Sequence, residues 1–368
     1  MSTIATSSKV ENLRPALPVP ESTKVIFGRE SKRTTSNDLT VTPEEIQWML
    51  AKRDILSDAA SYTPQQLEKD FGSSECEKIL EAFDATFKGD SEKQNIVLPL
   101  LKWPGIGTRW RSFLSWIAKE QQVSIGGTDG DKTKIRTEIF TRYANHLGRI
   151  TSYRALALDS SAFNRIIEKE NCIFPTGQLR LPDDASPEQL QKSLYNIVDE
   201  HGICKVLVAR LFIAHLQKMI GIDPSVSLHD DWQTTCIISS GYFSSRGQQE
   251  AKKVYLFEVS VPAILPCAWT LAEVGSFGEH FLGNRYRDHP AWFHFDSPAG
   301  GCWFDGTIQR TERYTFYGIP FLKEHALQRI YCFENIEEIG KAVQPFVNQQ
   351  EKLHSRFPEG EAGPRMFQ

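Results

Sequence analysis

The chain has 368 residues, 40% of them hydrophobic and 24% charged, with a formal net charge of −4. That length makes two domains, or one elaborated domain with a smaller attachment, and the composition is ordinary for a globular protein. The slightly acidic balance excludes a general attraction to nucleic acid or acidic lipid, and no apolar run approaches the roughly 20 residues that cross a bilayer.

Seven cysteines, at positions 76, 172, 204, 236, 267, 302 and 332, are scattered and form no Cys-x-x-Cys pair. Neither a zinc ribbon nor a dithiol redox motif is present, and no metal is expected. Free thiols point to a reducing compartment, so a cytoplasmic place of work is expected. A protein translocated into a host cell would read the same. The stretch Met1–Lys9 lacks the apolar centre of a secretory signal.

In chain order, residues 1–40 carry three prolines (Pro15, Pro18, Pro20) among Ser and Thr and read as a flexible arm. Thr42-Pro43-Glu44-Glu45 is a capping box that predicts a helix to about Leu56, and Thr63-Pro64-Gln65-Gln66 repeats the signature. A helix is expected from Ser74 to about Phe87. A break at Trp103–Gly107 precedes an amphipathic helix with Trp110, Phe113, Leu114 and Ile117 on one face. Gly126–Gly130 reads as a loop, and the next helix places Ile135, Ile139, Tyr143 and Leu147 together. Residues 41–148 are thus expected to form a helical domain whose aromatics are core.

Ile150–Leu158 reads as a strand, and Asp159-Ser160-Ser161 caps the short helix after it. Residues 186–221 read as a helical insertion. Ser225–Leu228 is a short polar–apolar segment. Lys253–Pro262 is the clearest strand, with Tyr255, Phe257, Val259 and Val261 on one face. Ala263–Thr307 is loop-rich, Gln309–Pro320 reads as a strand with a terminal turn, and Gln328–Phe333 is the last strand. Residues 341–368 read as a frayed helix and tail. Strands that do not alternate with helices disfavour a doubly wound sheet; an α+β domain with a largely antiparallel core, over residues 149–340, fits better.

A strand arginine, Arg154, must meet an anion, because a buried lone guanidinium costs several kcal/mol. From Asp131 to Arg154, six Lys/Arg face two acids, a surplus of four (six minus two) that suits either a solvated helix face or a phosphate-bearing ligand. The chain has no Gly-x-x-x-x-Gly-Lys-Ser/Thr, no Gly-x-Gly-x-x-Gly after a strand, no Gly-x-Ser-x-Gly and no His-Glu-x-x-His.

Three elements remain, in fixed order: Tyr153-Arg154 in a strand, Ser225-Val226-Ser227, and Glu312 at a strand start. In that order, with Tyr153-Arg154-Ala155-Leu156-Ala157-Leu158-Asp159-Ser160-Ser161 and Arg310–Phe316 around them, they resemble the Arg–Ser–Glu class of mono-ADP-ribosyltransferases of bacterial toxins, effectors and vertebrate ecto-enzymes. The likeness spans about Ile150–Phe333. It implies a split mixed or antiparallel β core, here with an N-terminal helical region and a helical insertion. It also implies transfer of ADP-ribose from NAD, as substrate, to a target protein.

By that resemblance Arg154, beside Tyr153, would hold a pyrophosphate oxygen. Ser225 would orient Glu312 and support the nicotinamide ribose, Ser227 would stabilise the strand, and Tyr242 or Phe243 would stack on nicotinamide. Glu312 would accept from the ribose 2′-hydroxyl and oppose the positive charge of an oxocarbenium-like transition state. Trp303 and Phe304, in the Ser297–Gly306 loop, would meet the acceptor. The chain departs from the pattern at Ala155, Val226 and Arg310. Arginine-modifying members carry Glu or Gln where Arg310 stands, so the acceptor residue is left open. A non-catalytic interaction module on the same scaffold and an NAD glycohydrolase are the alternatives.

Overall fold

A computed structural model describes residues 23–28, 40–120, 131–173, 226–229, 232, 233, 235, 236, 239, 253–266, 312–315, 318–320, 326–335 and 337–344, with positions 227 and 312–314 described by backbone alone. It is a mixed α+β arrangement: a helical part and an antiparallel sheet whose first strand precedes the helices in the chain.

The helical part begins at α1 (Pro43–Leu50) and α2 (Pro64–Phe71). Both capping boxes form as the sequence predicts. The Glu45 amide donates to Thr42 Oγ1 at 3.3 Å, and the Thr42 amide to Glu45 Oε2 at 3.0 Å. Thr63 and Gln66 repeat the exchange at 3.1 and 3.2 Å. α1 stops at Leu50, short of the expected Leu56. Ile55 is fully buried in the following turn, and the carbonyls of Ser57 and Ala60 are taken by the guanidinium of Arg136.

α3 (Ser73–Phe87), α4 (Ser91–Val97), a 3-10 turn (Leu98–Lys102), α5 (Pro104–Gly107), α6 (Trp110–Glu120) and α7 (Lys132–Leu147) complete this part. Trp110, Phe113, Leu114 and Ile117 are buried as expected. On α7 the buried set is Arg136, Ile139, Phe140, Tyr143 and Ala144, with Ile135 and Leu147 only partly covered. Trp103 meets Phe140 edge-on at 5.4 Å, and Phe113 meets Tyr143 at 4.9 Å. Such pairs contribute about 0.5–1.5 kcal/mol beyond the area they bury.

The sheet has six strands in the order β1 (Lys24–Gly28), β8 (Leu327–Phe333), β5 (Lys253–Pro262), β2 (Arg149–Leu158), β4 (Val226–His229), β6 (Glu312–Thr315), each pair antiparallel. β3 (Cys172–Ile173) and β7 (Ile319–Pro320) form a separate two-stranded ribbon. One sequence expectation is corrected here and another is refined. Lys24–Gly28 is not loose arm but a strand on β8, tied further by Lys24 Nζ to Glu334 at 3.3 Å. Gln309–Pro320, read as a strand with a terminal turn, supplies β6 and, past Gly318 at φ +88°, β7 of the small ribbon.

Pleating gives the sheet two faces. On one, Tyr255, Phe257, Val259 and Val261 of β5 pack with Val226, Leu228, Ile330 and Cys332 under Ile166. Ile166 belongs to the helical segment of α8 (Ser160–Asn164) and a π turn (Arg165–Glu170), opened by the Asp159 carboxylate accepting from Ala162 N at 2.7 Å. On the other face, Ala155, Val254, Leu256, Tyr331 and Phe333 pack beneath Trp232, Cys236 and the helix of residues 337–344, α9, which starts earlier than the sequence suggests.

The helical part and the sheet are stitched where β5 ends. Residues 263–266 form a turn, as the loop expectation has it, and Ile264 and Leu265 in that turn are buried in the helical core. Trp103 Nε1 donates to the Ile264 carbonyl at 3.1 Å, and Arg109 donates to the carbonyls of Ala263 and Pro266 at 3.0 and 3.1 Å. A Cβ on Gly105 would overlap that same Ile264 carbonyl, which is backbone and cannot step aside cheaply. Gly105→Ala is therefore expected to lower stability by about 2–3 kcal/mol, read as an earlier midpoint in urea unfolding; an unchanged midpoint would mean that the joint is not close-packed.

Candidate functional site

Register brings together residues that lie far apart in the chain. Arg329 on β8 pairs with Glu258 on β5, Glu258 with Tyr153 on β2, Tyr153 with His229 on β4, and His229 with Glu312 on β6. These five positions form one row across five adjacent strands. Directly opposed residues of an antiparallel pair share a face, with Cβ atoms about 4.5–5.5 Å apart. The row belongs to the face of Ala155, Leu256 and Tyr331.

Its described side chains sit deep. Arg329 and Glu258 are 5% exposed and His229 is 2% exposed; Tyr153 is partly covered. Arg329 Nη1 lies 3.8 Å from Glu258 Oε2, an ion pair too long to be a hydrogen bond, and 3.4 Å from the Tyr331 hydroxyl. Burying a cation, an acid and an imidazole on an apolar face costs several kcal/mol unless each is satisfied by its neighbours.

The sequence-derived residues divide as follows. Tyr153 and Glu312 share the row. Ser227, two positions from His229 and paired with Tyr314, has a register position on the same face. Arg154 does not: it pairs with Phe257, whose side chain belongs to the opposite core. Ser225, Tyr242, Phe243, Trp303, Phe304 and Arg310 lie outside the described residues, as do the 186–221 insertion and the Gly126–Gly130 loop.

Sequence reading missed His229, Glu258 and Arg329. A signal was present for two of them: Glu258 and Arg329 are single charges within otherwise apolar strands, Val-Tyr-Leu-Phe-Glu-Val-Ser-Val and Leu-Gln-Arg-Ile-Tyr-Cys-Phe. Opposite charges in two buried strands predict that the strands pair with those residues opposed.

The local basic surplus has structural uses. Arg136 is buried and donates to the carbonyls of Ile96, Asn95, Ala60 and Ser57, and burial holds its guanidinium below its usual value. Arg142 pairs with Glu120 and Arg149 with Glu45. Three of the six cations thus hold protein groups.

Among the described residues, no group of three or more His, Cys, Asp and Glu could hold a metal ion, and no helix is long and apolar enough to cross a membrane. Cys76, Cys172 and Cys332 are buried and free, and burial pushes their thiols up, away from the reactive thiolate. A cavity of about 380 Å³ opens on α6 and α7, lined by Arg111, Ser112, Ser115, Trp116, Lys119 and His146; it belongs to the helical part and not to the sheet.

No protein-family model, curated protein or solved structure matches this chain.

Proposed function

We propose that the chain is a mono-ADP-ribosyltransferase with an ADP-ribosyltransferase-like core, moving ADP-ribose from NAD to a side chain of a target protein and releasing nicotinamide. One observation carries the reading: β2, β4 and β6, the strands of the three motifs, are consecutive neighbours in a single sheet, and positions 153, 227 and 312 fall on one face of it. Nothing local dictates that adjacency.

In this reaction the C1′–N bond of the nicotinamide ribose breaks and its electron pair stays on the ring nitrogen, neutralising the pyridinium. The acceptor's lone pair then bonds to C1′, and the acceptor's proton is lost. Little nucleophilic push is needed, so the protein's work is positioning and charge. Glu312 would accept from the 2′-hydroxyl and oppose the charge growing on the ribose. Ser225 would orient that glutamate, Ser227 would stiffen β4, and Tyr242 or Phe243 would stack on nicotinamide.

The register of Arg154 favours a second reading, a non-catalytic interaction module on the same scaffold. A dinucleotide laid along the face of position 312 does not reach, through the sheet, a guanidinium in the row of Phe257. Thermal unfolding with excess NAD separates the two. A ligand at 100 times its dissociation constant adds about 2.7 kcal/mol, expected here as a melting temperature several degrees higher. No shift favours the interaction module. A shift with labelled protein in a lysate supports the transferase, and a shift with nicotinamide release but no labelled protein means that water is the acceptor.

A further inference from the structure

We propose that His229 is a positioning residue for Glu312, an inference that rests on the transferase reading and adds a residue to its site. Among the described residues β6 is the last strand of the sheet, and every partner in its register comes from β4. Among the described residues, position 312 therefore has one strand neighbour, and the residue directly opposite it is His229. A catalytic carboxylate in this chemistry must be held to within about half an ångström, which requires a neighbour that is itself immobile.

His229 meets that requirement. It is almost fully buried, it is opposed on its other side by Tyr153, and Trp232 and Cys236, a few residues further along the chain, pack in the core on the same face of the sheet. Tyr153 is backed in turn by Glu258 and Glu258 by Arg329, so the row runs from a buried ion pair at one end to the reacting position at the other. Apolar residues at these positions would usually stabilise a sheet at least as well as a buried polar row. Packing alone therefore gives no reason for five titratable side chains in register. A row that transmits rigidity to position 312 does.

The test is a double-variant cycle read in two ways. His229→Asn and Glu312→Gln are made singly and together, their melting temperatures measured, and kcat and KM for NAD taken from nicotinamide release. Coupled residues give losses in melting temperature that fail to add. In His229→Asn, kcat is expected to fall about 10- to 100-fold with KM for NAD unchanged, a split that a general loss of packing would not give. Tyr153→Phe, which removes one hydroxyl, should show a smaller loss of the same kind and serves if His229→Asn does not fold. Additive losses in melting temperature, or an unchanged kcat in a folded His229 or Tyr153 variant, overturn the positioning role. Non-additive losses in a protein whose wild type releases no nicotinamide overturn the transferase instead and leave the His229–Glu312 coupling standing.

Discussion

Glu312→Ala is expected to lower nicotinamide release from NAD about a thousandfold while the cooperative unfolding transition remains. A factor of that size corresponds to about 4 kcal/mol of transition-state stabilisation, the upper part of the range for removing one preorganised electrostatic partner. The expectation follows from where the charge is. The leaving group departs neutral, so positive charge passes from the pyridinium to the ribose C1′ and its ring oxygen, and only a fixed anion near them lowers the barrier. KM for NAD should move little, because this interaction strengthens only as the bond breaks. Single-turnover assays with labelled NAD read the chemical step directly. Glu312→Gln, which keeps a hydrogen-bond acceptor and loses the charge, should fall between wild type and alanine. Full activity in Glu312→Ala would remove the glutamate from the site and, with it, the likeness from which the reading began.

Arg154 makes the complementary case. If the transferase uses the face of the row, Arg154→Ala should leave the affinity for NAD intact even as Glu312→Ala stops turnover, since Arg154 pairs with Phe257 on the opposite side. If both variants lose function, the dinucleotide spans the sheet edge and contacts both faces.

What was legible in the sequence was local. The capping boxes at Thr42 and Thr63 need only four residues each, and both form. The period-2 alternation of Lys253–Pro262 located β5 residue for residue and put Tyr255, Phe257, Val259 and Val261 on one face, while the opposite face proves buried as well. The strand read at Ile150–Leu158, one residue short of the observed start at Arg149, and the helix cap at Asp159 were equally plain. Illegible features depend on partners distant in sequence. β1 lies beyond a proline-rich segment, and its Val25 and Ile26 are exposed, so only its pairing with β8 makes it a strand. Trp103–Gly107 looks like punctuation until Ile264 is seated against it. The candidate site divides in the same way. Arg154 and Glu312 were visible as charges at strand positions, but which face each serves is a matter of register, and one residue of slip reverses it. His229 carried no local signal at all; it matters because β2 and β6 flank it.

Glu45→Ala is expected to destabilise the protein by about 3–5 kcal/mol, the cost of leaving a buried cation without its acid. Glu45 serves two structures at once. Its carboxylate completes the capping box of α1 by accepting from Thr42 N, and it receives Arg149 Nη2 at 2.9 Å from the first residue of β2. Arg149 in turn donates to the Ser260 carbonyl at 2.6 Å and to Ser260 Oγ at 3.1 Å, so one guanidinium binds α1, β2 and β5 together. With side chains 1% and 4% exposed, neither partner can turn to water when the other is removed. Urea unfolding followed by tryptophan emission reports local packing, with Trp48, Trp103, Trp110 and Trp116 in the helical part and Trp232 on the sheet among the eight tryptophans, while far-ultraviolet circular dichroism reports on the backbone of the whole. A loss under about 1 kcal/mol would mean that the pair is not what joins the two parts. The double variant Glu45→Met with Arg149→Met should recover most of the loss, since apolar side chains of similar length fill the site without a stranded charge. If the two signals separate in Glu45→Ala but coincide in the wild type, this pair is also what makes the helices and the sheet unfold as one unit.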